Sequence, residues 1–314
     1  MPAPPPSRVT IALCTFNGAE HLEDQLASYL AQTYENWDLW VSDDGSTDNT
    51  RAILHAFAQA HGHTRDIRII DGPRKGVAAN FLSLLCHPDF PRTPCALSDQ
   101  DDVWLQDKLA LGMAEIHGEQ PCLYGAQSVH TISDLTSVGR SVGAAPLALK
   151  TISFGNALVQ NVVSGHSSLL NLAALDLVRE AGVPQDIQSH DWWLYLLMTG
   201  AGSRVVVSER EVLFYRQHSA NAMGAHQGLR ASMLRAMRVF GTTYGAWIAS
   251  NTAALRRVDT LLTPQARDTL TALENAPKKF AALKRLGVLQ RYGIARQNRF
   301  GTAILWLAVL LGRC

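Results

Sequence analysis

The 314-residue chain lacks any hydrophobic run long enough to cross a bilayer. Gly301 to Leu311 is almost wholly apolar, but 11 residues fall well short of the ~20 that a spanning helix needs. The opening stretch, Met1 to Arg8, is proline-rich and has no apolar signal core, so no export is expected. Cysteine is scarce and odd in number: Cys14, Cys86, Cys95, Cys122 and Cys314 share no metal-type spacing. They read as reduced thiols of a cytosolic protein rather than a disulfide framework. Acid is scarce in one region only. Residues 225–314 carry 3 Asp+Glu against 14 Lys+Arg, a net of +11, whereas residues 1–224 carry 24 against 14, a net of −10. Such asymmetry points to a basic surface meeting nucleic acid or an anionic membrane. What remains is ordinary for a globular protein with a sizeable core: 47% apolar and 18% charged residues. The length suits one large domain, or one domain with an appendage.

Strands, polar loops and helices alternate through the first hundred residues. Val9 to Cys14, Trp37 to Val41, Ile67 to Ile70 and Cys95 to Leu97 are apolar or β-branched runs that predict buried strands. Glu20 to Gln32, Arg51 to His61 and Val77 to Leu85 have helical spacing. This alternation predicts a mostly parallel sheet covered by helices, with the polar clusters converging on one sheet edge. Beyond residue 105 a strand is expected near Pro121 to Gly125 and a loop over Thr131 to Ala148. Helices are expected over Asn171 to Ala181 and from Ser189, and two strands over Arg204 to Val207 and Val212 to Arg216. From Leu229 onward the pattern is helical, with Lys278, Lys279, Lys284, Arg285, Arg291, Arg296 and Arg299 among apolar residues. That combination suits a helix lying on a membrane surface as well as a packed helix with a solvated basic face. The expected division is therefore 1–224 and a helical basic extension over 225–314.

The most informative stretch is Ser98-Asp99-Gln100-Asp101-Asp102-Val103-Trp104, followed by a helix-like run. Three carboxylates within four residues repel each other. A divalent cation shared with a phosphate ligand supplies the compensating charge, and open α/β sheets bind ligands at the carboxyl ends of their strands. An Asp-rich turn capping the next helix is the plainer alternative.

Taken in order, five segments resemble the family 2 inverting glycosyltransferases with a GT-A fold, particularly bacterial rhamnosyltransferase-like members. They are Thr15-Phe16-Asn17-Gly18, Asp43-Asp44-Gly45-Ser46-Thr47-Asp48, the acidic stretch above, His190-Asp191-Trp192-Trp193 and Tyr215-Arg216-Gln217-His218. The resemblance spans roughly residues 8–225. It implies that Thr15, Asn17 and Glu20 line the nucleotide end, and that Asp43 accepts from a base N–H. Asp99 would meet the ribose hydroxyls, and Asp101 would ligate Mg²⁺ or Mn²⁺ bridging the donor's two phosphates. Asp102 would support the loop or start a helix. Asp191 would be the base that takes the acceptor proton in one-step inversion, with Trp192 and Trp193 walling it off and Trp192 counted among the nucleotide-sugar-binding residues. His218 would complete the metal's coordination or contact the diphosphate. Arg216 and Lys75 would reach phosphate. Gly165-His166-Ser167 resembles the family's Gly-Cys-Thr-type segment near the sugar, but His166 replaces the middle residue and leaves that contact open.

The implied activity is metal-dependent transfer of a sugar from a nucleotide donor, dTDP-L-rhamnose first and UDP-hexose or UDP-N-acetylhexosamine second. The acceptor would be lipid-linked or a polysaccharide, on the inner face of the cytoplasmic membrane. A nucleic-acid-binding or membrane-recruitment module explains only the basic third and leaves the acidic clusters without a role, so no nucleic-acid partner is expected. A nucleotidyltransferase or hydrolase would use the same acids but has no need of Asp191. A retaining transferase would differ in the anomer of its product.

Overall fold

The computed structural model describes residues 7–132, 152–217, 242–276 and 282–312. These residues group into two units. The first takes in 1–142, 163–183 and 204–221, and the second 143–162, 184–203 and 222–314. The expected division at 224/225 differs from this grouping, because the C-terminal helices pack with two earlier segments.

The first unit is built on an eight-stranded sheet in the order β3-β2-β1-β4-β7-β6-β8-β5. Its strands are β1 (Val9–Thr15), β2 (Trp37–Asp43), β3 (Ile67–Asp71), β4 (Cys95–Ser98), β5 (Val103–Trp104), β6 (Cys122–Ile132), β7 (Leu169–Leu170) and β8 (Arg204–Gln217). Strands β1 to β4 run parallel to their neighbours in that set. β7 and β5 are antiparallel to their partners. Strands β1, β2 and β4 are buried along their whole length, which is why they read as continuous apolar runs. The helices α1 (Leu22–Leu30), α2 (Thr50–His61), α3 (Val77–Leu85), α4 (Lys108–Glu115) and α6 (Leu172–Ala181) belong to this unit. The α/β expectation is met.

Two local expectations give way to long-range pairing. The residues after the acids do not begin a helix: Val103 and Trp104 pair with Phe214 and Leu213 of β8, and α4 starts only at Lys108. The two strands expected over 204–216 are one, since β8 continues through its polar centre and absorbs the extra residues by register shifts opposite Gly125 to Ser128 of β6.

Tyr29 joins α1 to the acid-bearing end of β4. Its ring is edge-on to Trp104 at 4.7 Å and to Trp37 at 6.1 Å, and its hydroxyl is hydrogen-bonded to Ser98 Oγ at 2.6 Å. Asn171 does comparable work for α6, accepting from Ala174 N–H at the helix start and from Cys122 N–H in β6, each at 2.9 Å.

The second unit is helical: α5 (Phe154–Ala157), α7 (His190–Gly200), α8 (Thr242–Arg257), α9 (Pro264–Asn275), α10 (Ala282–Arg291) and α11 (Arg299–Leu310). Asn156 is its junction. Its Oδ1 accepts from the Tyr195 hydroxyl and from Gln297 Nε2, both at 3.0 Å, and its Nδ2 donates to the Ala295 carbonyl at 2.9 Å. A Cβ on Gly155 would sit 2.6 Å from the Gly293 carbonyl oxygen, so only glycine permits this approach of the two main chains. The segment after α10 is thus part of the unit's interior.

Tyr29→Phe keeps the ring packing but leaves Ser98 without that partner, and is expected to cost about 1 kcal/mol. Tyr29→Ala empties the space between Trp37 and Trp104 and should cost roughly 3–5 kcal/mol. Urea unfolding of both variants measures the difference; equal costs would mean that the ring packing contributes little.

Candidate active site

The parallel register brings the carboxyl ends of β1, β2, β3 and β4 to one edge of the sheet. Thr15 pairs with Asp43, Asp43 with Asp71, and Leu13 with Ser98. The polar loops converge there because each follows a strand of the same direction.

Asp43 organises the first of these loops. Its side chain has no exposed surface. Its Oδ2 accepts from Thr15 Oγ1 at 2.8 Å and from Ser46 Oγ at 2.6 Å, and its Oδ1 accepts from Ser46 N–H at 3.0 Å. Arg51 lies between Asp43 (3.4 Å) and Asp71 (2.7 Å). Burial alone would push the Asp43 carboxyl up; the Ser46 and Thr15 hydrogen bonds and the Arg51 charge outweigh it and hold the group below the usual carboxylate value. Asp44 is also engaged, accepting from Arg74 N–H and Gly76 N–H at 2.6 and 2.8 Å. Asp43, expected to meet a base N–H, therefore has its acceptor sites occupied by its own loop.

The loop after β1 is tied down in the same manner. Asn17 has a left-handed backbone (φ 48°), which Asn tolerates better than most residues. Its side-chain oxygen accepts from Thr47 N–H at 2.8 Å, and its own N–H donates to Ser46 Oγ at 2.8 Å. Phe16 is 56% exposed on this loop, an aromatic face that the sequence reading passed over. Glu20 and Lys75 are exposed. Glu20 lies 3.8 Å from His21 Nε2.

Gln100 fastens the acidic loop to the loop after β1. It accepts from Phe16 N–H at 2.8 Å and donates to the Phe16 carbonyl at 3.1 Å. A Cβ on Gly18 would collide with the Gln100 carboxamide, so the glycine is what lets the clamp close. On the other side Arg216 is buried, donating from Nε to the Asp101 carbonyl at 3.1 Å and from Nη2 to Asp24 at 2.8 Å. Arg216, expected to clamp phosphate, here braces the acidic loop from below.

Asp99, Asp102 and His166 offer ligand atoms that all lie within 4.8 Å of one another, and His166 Nδ1 is 4.0 Å from Asp99 Oδ2. Ligands around one hard cation, at ~2.0–2.6 Å from it, stand no more than about 4–5 Å apart. The set fits. Asp102 is completely buried, and among the described residues neither carboxylate oxygen makes a well-formed hydrogen bond; such a group needs a counter-charge or a proton. Burial, reinforced by the charges of Asp99 and Asp101, raises the Asp102 carboxyl well above its ordinary value, and Lys108 and the Arg216 N–H offset only part of this. Lys108 is likewise fully buried. Burial lowers its ammonium, with Asp102 and Asp99 pulling the other way. Its Nζ donates to the His166 carbonyl at 2.5 Å and lies 3.4 Å from the centre of the Trp104 ring. Asp101, the expected metal ligand, is on the same loop but outside this three-residue set. Gly165 is buried in the turn carrying His166, whose ring stacks on Tyr215 at 4.9 Å.

His218 lies outside the described residues. Asp191 belongs to the second unit. It sits in the first turn of α7, where the helix dipole favours an acid, and its Oδ1 accepts from the Trp192 N–H at 2.7 Å. Trp192 is buried, and its indole N–H donates to the Ala157 carbonyl at 2.7 Å; its role here is packing within the unit rather than presenting a face to a ligand. Gln100 and Lys108 were not picked out from sequence. The only signal for Lys108 was its place with Leu109 and Gly112 on the buried side of α4, a position where lysine is rare.

Residues 10–151 match the family described as "Glycosyl transferase family 2". The dTDP-rhamnosyl transferase RfbG of Shigella flexneri is 25% identical over 230 residues, 71% of this chain and 77% of RfbG. A UDP-Glc:alpha-D-GlcNAc-diphosphoundecaprenol beta-1,3-glucosyltransferase, WfgD of Escherichia coli, is 31% identical over 104 residues, 33% of this chain and 38% of WfgD. Among solved structures, the mannosyltransferase PcManGT of Pyrobaculum calidifontis, in complex with GDP-Man and Mn²⁺, superposes with a TM-score of 0.55 at 18% identity, covering 99% of this chain and 89% of that one. The fold is GT-A.

Asp43→Asn is expected to destabilise the protein at pH 7 by roughly 1–3 kcal/mol through the charge-assisted bonds it loses. A carboxyl held below its unfolded value contributes stability above the unfolded pKa of about 3.9 and loses it as pH falls through the folded value. The gap between wild type and variant should therefore close as pH falls from 5 towards about 2. Thermal melts across that range measure it, and a constant gap would contradict the assignment.

Proposed function

We propose, from the premise that residues 10–151 make this chain a family 2 glycosyltransferase, that it moves L-rhamnose from dTDP-L-rhamnose to a lipid-linked or polysaccharide acceptor with inversion. The observation carrying this reading is the acidic loop at the carboxyl edge of the parallel sheet, with Asp99, Asp102 and His166 at cation-ligand spacing. The rhamnosyl donor rests on the likeness to RfbG. A UDP-hexose donor is the second reading, supported by the likeness to WfgD.

The exposed ring of Phe16 and the Thr15–Gly18 loop receive the nucleotide, with Asn17 and Ser46 keeping that loop in shape. Asp99 takes the ribose hydroxyls. Asp101 by its motif, and Asp99, Asp102 and His166 by their geometry, are the residues that would hold Mn²⁺ or Mg²⁺. Such an ion, when bound, stabilises as a Lewis acid the negative charge growing on the departing diphosphate. Arg216 keeps the Asp101 main chain in place. Asp191, at the start of α7, takes the proton of the acceptor hydroxyl as it attacks the anomeric carbon.

The chain works at a membrane surface. No described helix is long and apolar enough to span a bilayer. In α11, Phe300, Leu307 and Leu311 (just past its last turn) recur at near-whole-turn spacing, and they are 72%, 47% and 59% exposed. Apolar side chains at this spacing on a helix flanked by basic residues suit the anionic interface of a bilayer.

Asp191→Asn should lower turnover by about 10²–10⁴-fold while leaving donor affinity nearly unchanged, because a base is not a donor ligand. More than a tenth of wild-type turnover would reject the base assignment. Thermal shifts with dTDP-L-rhamnose and UDP-glucose, each with Mn²⁺, separate the donor readings, since a ligand raises the melting temperature of the state it binds. The paired change Phe300→Glu and Leu307→Glu should weaken sedimentation with anionic vesicles while preserving the melting temperature. Unchanged sedimentation would reject the membrane contact. These point changes are preferable to removing residues 278–314, which would take Gln297 away from Asn156.

A further inference from the structure

We propose that Lys108 is a positioning residue for the cation and diphosphate end of the site: its ammonium grips the His166 main chain and so sets the His166 ring against Asp99 and Asp102 before any ligand arrives. The inference rests on the reading of the acidic loop given under Proposed function.

Lys108 opens α4 and has no exposed surface. A lysine so placed gives up the hydration of its charged end, and an apolar residue would fill the same space without that penalty. Its Nζ meets a carbonyl and a ring: it donates to the His166 oxygen at 2.5 Å and sits over Trp104 at 3.4 Å. The carbonyl belongs to a three-residue turn, Gly165–Ser167, on the way into β7. That turn is held on its far side by Ser167 and Ser168, which both donate to the Ser164 carbonyl. Lys108 therefore fixes its near side. The His166 ring is oriented independently by its stack on Tyr215, 4.9 Å away and 26° from parallel. With its main chain held by α4 and its ring held by β8, His166 has little freedom except to face Asp99 Oδ2, 4.0 Å from its Nδ1.

A charged donor suits this task better than a neutral one. Bonds from an ammonium are shorter and about twice as strong as neutral ones. Arg216 repeats the arrangement on the other side of the loop, where a buried cation also grips a main-chain carbonyl, that of Asp101. One cation holds the main chain of the His166 turn and the other that of the acidic loop.

The test is Mn²⁺ binding to the full chain without donor, read by the loss of the free-ion electron paramagnetic resonance signal. Lys108→Met removes both charge and donor and should weaken binding by about 10–100-fold, the usual cost of losing a group that orients a ligand. Lys108→Gln keeps an N–H donor and should recover part of the loss. Tyr215→Leu frees the ring and should weaken binding in the same direction. At saturating Mn²⁺, turnover of Lys108→Met should recover more fully than its donor KM. A folded Lys108→Met that binds Mn²⁺ within about twofold of wild type overturns the proposal. If Lys108→Met loses its far-UV circular dichroism, Tyr215→Leu decides, and unchanged binding there overturns it too. A wild-type chain that takes up no Mn²⁺, with or without nucleoside diphosphate, rejects the underlying reading of the loop, and this inference falls with it.

Discussion

Holding several carboxylates together at one end of a sheet is the constraint that the rest of this architecture serves. Two unit charges about 5 Å apart repel by roughly 3 kcal/mol at an effective dielectric of 20, and Asp99, Asp101 and Asp102 lie within four residues of one another. The fold clamps the main chain around them: Gln100 to Phe16, Arg216 to the Asp101 carbonyl, and Lys108 to the carbonyl of the neighbouring His166 turn. Tyr29 reaches the same place from α1 through Ser98. A loop fixed through its backbone keeps its charges in place.

The neighbouring acids follow the opposite rule. Asp43 and Asp44 are buried and satisfied, the first by Thr15 at the end of β1 and Ser46 of its own loop, the second by the main chain around Arg74 in the loop after β3. Their work is to give the loops that follow β2 and β3 a defined shape. One sheet edge thus holds two kinds of carboxylate. Those meeting hydroxyls and N–H groups hold their loops in shape, and those meeting each other and His166 form the acidic cluster at cation-ligand spacing. Burial with satisfied hydrogen bonds, against burial without them, is the physical difference, and Asp43 and Asp102 stand on its two sides.

That difference explains what could be read from the chain and what could not. Strands β1, β2 and β4 announce themselves because full burial demands unbroken apolar runs, and the convergence of their loops follows from parallel pairing. The acidic stretch stands out in the sequence as a candidate because three acids so close together repel one another. Side-chain assignments within it were less accessible. Arg216 reads as a phosphate clamp until Asp24, 192 residues away in sequence, is seen to hold it. Trp192 reads as a wall until Ala157 is found against its indole. β5 is two residues long and exists only through its pairing with β8, so no periodicity marks it. In each case the deciding partner lies far along the chain, where local pattern carries no information.

The basic C-terminal region makes the same point about charge. A net of +11 over residues 225–314 suggests a surface, yet several of those cations are engaged within the second unit. Arg285 is buried and donates to the Ala276 carbonyl. Arg256 is held by Glu274 and Asp259, and Arg296 reaches the Tyr244 hydroxyl. Lys278 and Lys279 lie outside the described residues. Charge count alone therefore overstates the attraction to an anionic membrane, which scales with the cations left near the surface. The stronger argument is apolar. Cations used inside a fold say nothing of a bilayer, whereas phenylalanine and leucine left on one side of a C-terminal helix lose free energy to water until something covers them.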